Sequence, residues 1–303
     1  MMKLLLTGAF HYSHEQLEYL ISLGYEITFV QDERVSIGFD VSDIEAVICN
    51  GLFLYTPIEK FKSLKFIQLT AAGYDRVPID YINKHNIKIS NARGVYSAPM
   101  AEFAVCGVLQ LYKNARFFYE NQKAHKWEKH RGLLELTGKN VLIIGAGSIG
   151  TQVAKRFKSF EANVIGVDLY TKNNDYFDTV FSLDRLDEQL SMADIVILSL
   201  PYSENNKGFF GKAKFCQMKS TAIFVNLSRG KLVNQNDLTD ALINKKLNGA
   251  VLDVFETEPL DEHSPLWDME NVIITPHNSF IGDLNSKRMF DIIKNNLKDL
   301  LNE

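Results

Sequence analysis

The stretch NVLIIGAGSIGTQVAKRFKSF, beginning at Asn140, constrains this chain more than any other. An apolar run is followed at once by glycines at 145, 147 and 150, in the spacing G-x-G-x-x-G, and then by a helix-like segment. The first glycine admits a tight turn, the second lets the backbone approach a pyrophosphate, and the third lets helix and strand pack closely, with helix amides facing the phosphates. The next apolar run, NVIGVD, ends in Asp168, about 20 residues past the motif, where a carboxylate accepts hydrogen bonds from an adenosine ribose. Strand, loop, helix and acid together predict a dinucleotide held by Gly145, Ala146, Gly147, Ser148, Ile149 and Gly150, with Asp168 at the ribose. Asp168 would repel a 2′-phosphate, and the following residues, Leu169, Tyr170, Thr171 and Lys172, include no arginine, so NAD is expected over NADP. Lys172 is either a cation within reach of a phosphate or a surface charge.

The same alternation of short apolar runs and helical patterns extends over the whole chain. KLLLTGAF, YEITFV, EAVICN, KFIQLT and IKISNA predict one parallel sheet; NVLII, NVIGVD, DTVFSL, ADIVILSLP, TAIFVNLSR, GAVLDVF and NVIITPH predict a second. Between them, APMAEFAVCGVLQLYKNAR reads as a long apolar helix linking two domains, with Ser97 as N-cap and Pro99 in its first turn. RMFDIIKNNLKDLLNE reads as a closing amphipathic helix that returns to the first domain. MMKLLLTGAF is too short for a membrane span and lacks a small-residue cleavage site, so it reads as a first strand. With 303 residues, 46% hydrophobic, the chain can bury two cores, and 33 Lys plus Arg against 37 Asp plus Glu leave no basic footprint for nucleic acid. Cys49, Cys106 and Cys216 are odd in number and far apart, which argues against disulfides and zinc and predicts buried thiols in a reducing, cytoplasmic setting.

Three strand ends of the second sheet carry an acid-base set. Arg229 follows AIFVN, Glu258 follows AVLDV, and His277 follows NVIIT. Parallel sheets bind ligands at their carboxyl edges, so these side chains are candidates for one site. A fixed guanidinium can grip a carboxylate and polarise a neighbouring carbonyl, a histidine can give or take the proton, and a glutamate can orient the imidazole and favour its protonated form. Singly, each is more often a surface charge, a loop acid or a turn histidine; jointly they suit reversible reduction of a carbonyl. His263 lies in a polar loop without a preceding strand, and His11, His14, His85, His125 and His130 sit in helix-like or polar surroundings, so all six read as structural or surface residues.

These motifs, with LTAAGYDRVP, NARGVYSAPMAEFAV, SLPYSENNKGFF and MKSTAIFVNLSRGKLVNQNDLTDAL, resemble the D-isomer-specific 2-hydroxyacid dehydrogenase family nearly end to end. The resemblance implies an α/β fold with a discontinuous flavodoxin-like substrate domain, 1–95 plus 281–303, and a Rossmann dinucleotide-binding domain, 96–280, with the active site in the cleft between them. It implies that Arg229 binds and polarises a 2-oxo acid, that His277 is the acid-base and Glu258 its partner. It places Asp253 at the nicotinamide carboxamide, Pro201 in the cofactor site, and the backbone around Ala72 and Gly73 at the substrate carboxylate. A homodimer formed through the linker helix and the segment through Trp127 is also implied. Departures from the usual pattern, NSF after the histidine and NNK after SLPYSE, blur substrate assignment; Phe280 and the stretch Asn50 to Tyr55 are candidates for the side-chain pocket. Glu258 disfavours the formate-oxidising relatives, and no regulatory domain is expected beyond Glu303. The expected activity is NAD-dependent interconversion of a small 2-oxo acid and its D-2-hydroxy acid. The alternative is a corepressor-like NAD-binding interaction protein with little turnover.

Overall fold

The computed structural model describes residues 1–171 and 174–302, so Lys172 lies outside the described residues. The chain divides into two compact units, Met1–Tyr96 with the segment from Gly282 onward, and Ser97–Ile281. Every apolar run named above forms a strand.

The first unit contains β1 (Met2–Thr7), α1 (His14–Ser22), β2 (Tyr25–Val30), β3 (Ala46–Cys49), β4 (Phe66–Leu69), α2 (Ile79–Lys84) and β5 (Lys88–Ser90). Its strands are parallel in the order β2-β1-β3-β4-β5, the flavodoxin-like arrangement. β3 and β4 are buried at every position, as strands covered on both faces must be. Ser13 caps α1 through a reciprocal bond pair with Gln16. The closing helix Asn285–Leu301 packs Met289, Ile293 and Leu297 into this unit's core, one residue per turn along a single stripe. Asn296 ties it to the sheet through Gln68 Oε1 at 2.6 Å and Ser90 Oγ at 2.9 Å.

The second unit runs through α3 (Ser97–Tyr112), α4 (Ala115–Lys123), β6 (Asn140–Ile144), α5 (Ser148–Lys158), β7 (Asn163–Asp168), β8 (Thr179–Ser182), α6 (Leu186–Met192) and β9 (Ile195–Leu198). It continues with α7 (Lys212–Gln217), β10 (Ile223–Asn226), α8 (Gln235–Ile243), β11 (Gly249–Leu252) and β12 (Val272–Ile274). The order β12-β11-β10-β9-β6-β7-β8 is all parallel and reverses between β6 and β9, the doubly wound Rossmann topology. Gly107 of α3 lies so close to β11 that a Cβ there would stand 2.5 Å from Val251 Cγ1.

Three local expectations need correction. The predicted linker helix is two helices, broken where Asn114 takes a left-handed conformation (φ 50°) that asparagine tolerates better than most residues. Ser97 is the first helical residue rather than the cap, and its hydroxyl instead pairs with Ser148 Oγ at 2.8 Å. Of the cysteines only Cys49 is buried; Cys106 and Cys216 lie on exposed positions of α3 and α7.

Candidate active site

The glycine loop leaves β6 and enters α5 as its spacing predicts. Gly145 has φ +104°, and a Cβ on it would lie 2.9 Å from the Ser199 carbonyl. A Cβ on Gly150 would lie 2.0 Å from the Gly145 oxygen. Gly147, by contrast, faces open space, and as N-cap of α5 it contributes no side chain over the helix amides. The loop is thus closed by its first and third glycines and open at its second, which suits a pyrophosphate at the helix terminus. Asp168, at the end of β7, accepts from the Ala146 amide at 2.6 Å and the Tyr170 amide at 3.2 Å, which sets the carboxylate beside the loop. Past β9, Ser199 Oγ donates to the Gly145 carbonyl at 2.7 Å, and Asn206 Nδ2 holds the Pro201 carbonyl at 2.8 Å.

Arg229, Glu258 and His277 come from the ends of β10, β11 and β12, which are neighbours in the sheet. Buried Asn226 shapes the Arg229 turn: its Oδ1 accepts from Ser228 N and Oγ, and its Nδ2 donates to the Arg229 carbonyl. The Arg229 guanidinium donates to Ser228 O at 2.9 Å. At the next residue, a Cβ on Gly230 would lie 1.9 Å from the Phe255 carbonyl carbon, so only glycine lets this turn rest on the segment carrying Glu258. Glu258 Oε1 accepts from the Phe255 amide at 3.1 Å, and Oε2 lies 2.8 Å from His277 Nδ1. A ring nitrogen facing a carboxylate carries its proton, so Nε2 is the ring nitrogen able to exchange a proton with a ligand. The imidazole and carboxylate are 41% and 37% exposed, open enough to reach one. The Phe280 ring stands edge-on to the imidazole, centroids 6.2 Å apart.

His277 has φ 51°, a left-handed conformation unusual for a side-chain-bearing residue. Asp253 holds it there. This carboxylate is fully buried; Oδ1 accepts from Thr275 Oγ1 at 2.6 Å and the Asn278 amide at 2.7 Å, and Oδ2 accepts from the Ser279 amide at 2.9 Å. The His277 amide itself donates to the Asp253 carbonyl at 2.8 Å. Three of the carboxylate's roughly four acceptor positions are therefore spent on the histidine loop, leaving about one for any other donor. The loop-holding bonds of Asp253 and Asn226 carried no sequence signal beyond a polar residue at a strand end. Ala72 and Gly73 follow β4 in the first unit, where Asn91 Nδ2 donates to the Ala72 carbonyl at 2.6 Å. Among the described residues no cluster of His, Cys, Asp and Glu could hold a metal, and no helix is long and apolar enough to cross a membrane.

Residues 105–279 match the family described as D-isomer specific 2-hydroxyacid dehydrogenase, NAD binding domain. A hydroxypyruvate reductase from Blautia hydrogenotrophica is 34% identical over 252 residues, 80% of this chain and 77% of that protein. A D-3-phosphoglycerate dehydrogenase from Archaeoglobus fulgidus is 30% identical over 269 residues, 88% of this chain but 51% of its own length. The crystal structure of a family protein from Aeromonas salmonicida superposes with a TM-score of 0.79 at 28% identity, covering 100% of this chain and 96% of that one. The chain belongs to the D-isomer specific 2-hydroxyacid dehydrogenase family.

Proposed function

We propose that this protein reduces the oxo group of a small 2-oxo acid with NADH and, in reverse, oxidises the D-2-hydroxy acid. Family membership supports the coarser statement, an oxidoreductase of 2-oxo and 2-hydroxy acids that uses a nicotinamide dinucleotide. The observation that carries the finer reading is the Glu258–His277 pair at 2.8 Å, one strand end away from Arg229.

The dinucleotide, when bound, supplies or takes the hydride. Arg229 grips the substrate carboxylate with paired N–H bonds and polarises the adjacent oxo group, for which a planar guanidinium suits better than an ammonium. The backbone N–H groups at Ala72 and Gly73 are further carboxylate donors in this proposal. In reduction His277 gives the Nε2 proton to the oxygen as negative charge develops there, and Glu258 stabilises the imidazolium through Nδ1. In oxidation the neutral ring takes the hydroxyl proton at the same nitrogen. Asp253 serves by keeping His277 in position, with its remaining acceptor capacity for the carboxamide. Asp168 favours NADH by placing a negative charge where a 2′-phosphate would lie. A homodimer is proposed through α3, α4 and the following segment, where Trp127 is 96% exposed and Tyr119 and Leu133 also meet solvent.

The test is a panel of glyoxylate, hydroxypyruvate, pyruvate and 2-oxoisovalerate with NADH and with NADPH, followed by nicotinamide absorbance. Turnover is expected with NADH on at least one acid. Nucleotide binding without turnover on any acid would reject the enzyme in favour of a corepressor-like interaction protein.

A further inference from the structure

Two helices of the second unit begin side by side, each on a serine. Ser97 opens α3 and Ser148 opens α5, and their hydroxyl oxygens stand 2.8 Å apart although 51 positions separate them in sequence. Further along the same two helices, Arg156 Nη2 donates to Glu102 Oε1 at 2.7 Å. The two positive helix ends therefore open together at the glycine loop, where aligned amides favour an anion.

Burial decides which hydroxyl of the pair donates. Ser97 is 3% exposed, and among the described residues Ser148 Oγ is the one partner of its hydroxyl. A buried hydroxyl proton with no water to meet turns to the acceptor at hand, so Ser97 donates and Ser148 accepts. Ser148 is half-buried, and its own proton is then left for another acceptor. The residue before it, Gly147, has open space where a Cβ would lie, so that proton has room to meet a ligand oxygen at the helix terminus. An ionised phosphate oxygen accepts and never donates, which matches an edge that offers a hydroxyl and backbone amides.

We infer that Ser97 and Ser148 act as a two-hydroxyl relay that binds the dinucleotide's pyrophosphate: Ser97 donates to Ser148, and Ser148 donates to a phosphate oxygen. Ser148 touches the cofactor; Ser97 is a positioning residue that acts through it. The relay also strengthens the outer bond, since a hydroxyl that accepts a hydrogen bond becomes the better donor. The inference rests on nicotinamide dinucleotide binding and not on the identity of the substrate, so it stands or falls apart from the 2-oxo acid reading.

The experiment measures Kd by calorimetry for ADP-ribose, which carries the pyrophosphate, and for adenosine, which does not, in the full chain and in Ser148→Ala, Ser148→Thr, Ser97→Ala and the double alanine variant. Ser148→Ala should weaken ADP-ribose by about tenfold, the loss of a hydrogen bond to a charged group, and leave adenosine near its wild-type value. Ser148→Thr keeps the hydroxyl and should bind ADP-ribose as the wild type does. Ser97→Ala should weaken ADP-ribose by about threefold, because Ser148 keeps its proton but loses the bond that orients and polarises it. On the Ser148→Ala background the Ser97 change should add nothing, since its effect passes through the missing hydroxyl. Unchanged ADP-ribose binding in Ser148→Ala would overturn the inference, as would an equal loss for adenosine, which would mark a distorted helix end instead of a lost phosphate bond. The same loss from Ser97→Ala with and without the Ser148 hydroxyl would overturn the relay. If Ser97→Ala does not fold, Ser97→Cys, a weaker donor of similar size, takes its place. Wild-type protein that binds no ADP-ribose would reject the dinucleotide itself, and the inference with it. The expected ADP-ribose results beside no turnover on any 2-oxo acid would reject the substrate reading and leave this inference supported.

Discussion

Asp253 and Glu33 occupy comparable places in the two units: each is buried at the carboxyl edge of a parallel sheet and takes two backbone amides and a threonine hydroxyl from nearby strand ends. They differ in what lies between the captured groups. Asp253 binds Thr275 on one side of His277 and Asn278 and Ser279 on the other, so it brackets the residue proposed to exchange the proton. Glu33 binds a turn, Asn50 and Gly51, that carries no acid or base. The same hydrogen-bonding device therefore sets the position of a histidine in one unit and closes a turn at the sheet edge in the other. Loss of the first should damage turnover of every substrate alike, whereas loss of the second should cost stability with kcat near its wild-type value.

The largest effect among tests of that contrast is expected from Asp253→Asn. Its amide would meet amide donors where the carboxylate accepted, removing bonds to a charged group worth about 1.5–3 kcal/mol each. Thermal or urea unfolding should show a loss of about 2–4 kcal/mol. Displacement of His277 by even about 1 Å should lower kcat by roughly a hundredfold on all accepted acids. A variant that altered the ranking of acids at full kcat would break the contrast. Next comes Glu33→Gln, which weakens three hydrogen bonds to a buried carboxylate and should lower unfolding stability by about 1–3 kcal/mol with kcat unchanged. The smallest concerns neither carboxylate but a third, Asp168: Asp168→Asn should narrow the NADH over NADPH preference by about tenfold, since only one screened charge is removed. A wild type that prefers NADPH would remove Asp168 from that role.

Much of this organisation was legible in the sequence because it is local. A β-strand buried on both faces needs a short run of apolar residues, and each such run became a strand. The glycine loop was legible from its spacing between a strand and a helix, although only Gly150 meets its steric limit nearby, at the Gly145 oxygen, whereas Gly145 is packed against distant Ser199 and Gly147 faces open space. Arg229, Glu258 and His277 were found by their positions after strands, which sequence order alone displays. What escaped was long-range. Asp253 reaches amides 25 and 26 residues away and Glu33 reaches amides 17 and 18 residues away, with nothing in the intervening pattern to mark the pairing. Cys106 lies on the stripe of α3 that carries Glu102 and Gln110, so the spacing of those two polar residues marks the outward face that a reading from cysteine type alone passes over. The break at Asn114 needed a left-handed residue that an Asn in a helical pattern only permits.

The central claim is that His277 moves the proton, and the pH dependence of kcat in both directions tests it most directly. Reduction requires the protonated ring and oxidation the neutral one. With saturating substrate and nucleotide, kcat for reduction should fall as pH rises while kcat for oxidation rises. His277→Ala should lower both by about 10²–10⁴-fold, flatten both profiles and leave NADH affinity near its wild-type value. Near wild-type kcat in His277→Ala, with both pH profiles retained, would contradict the account.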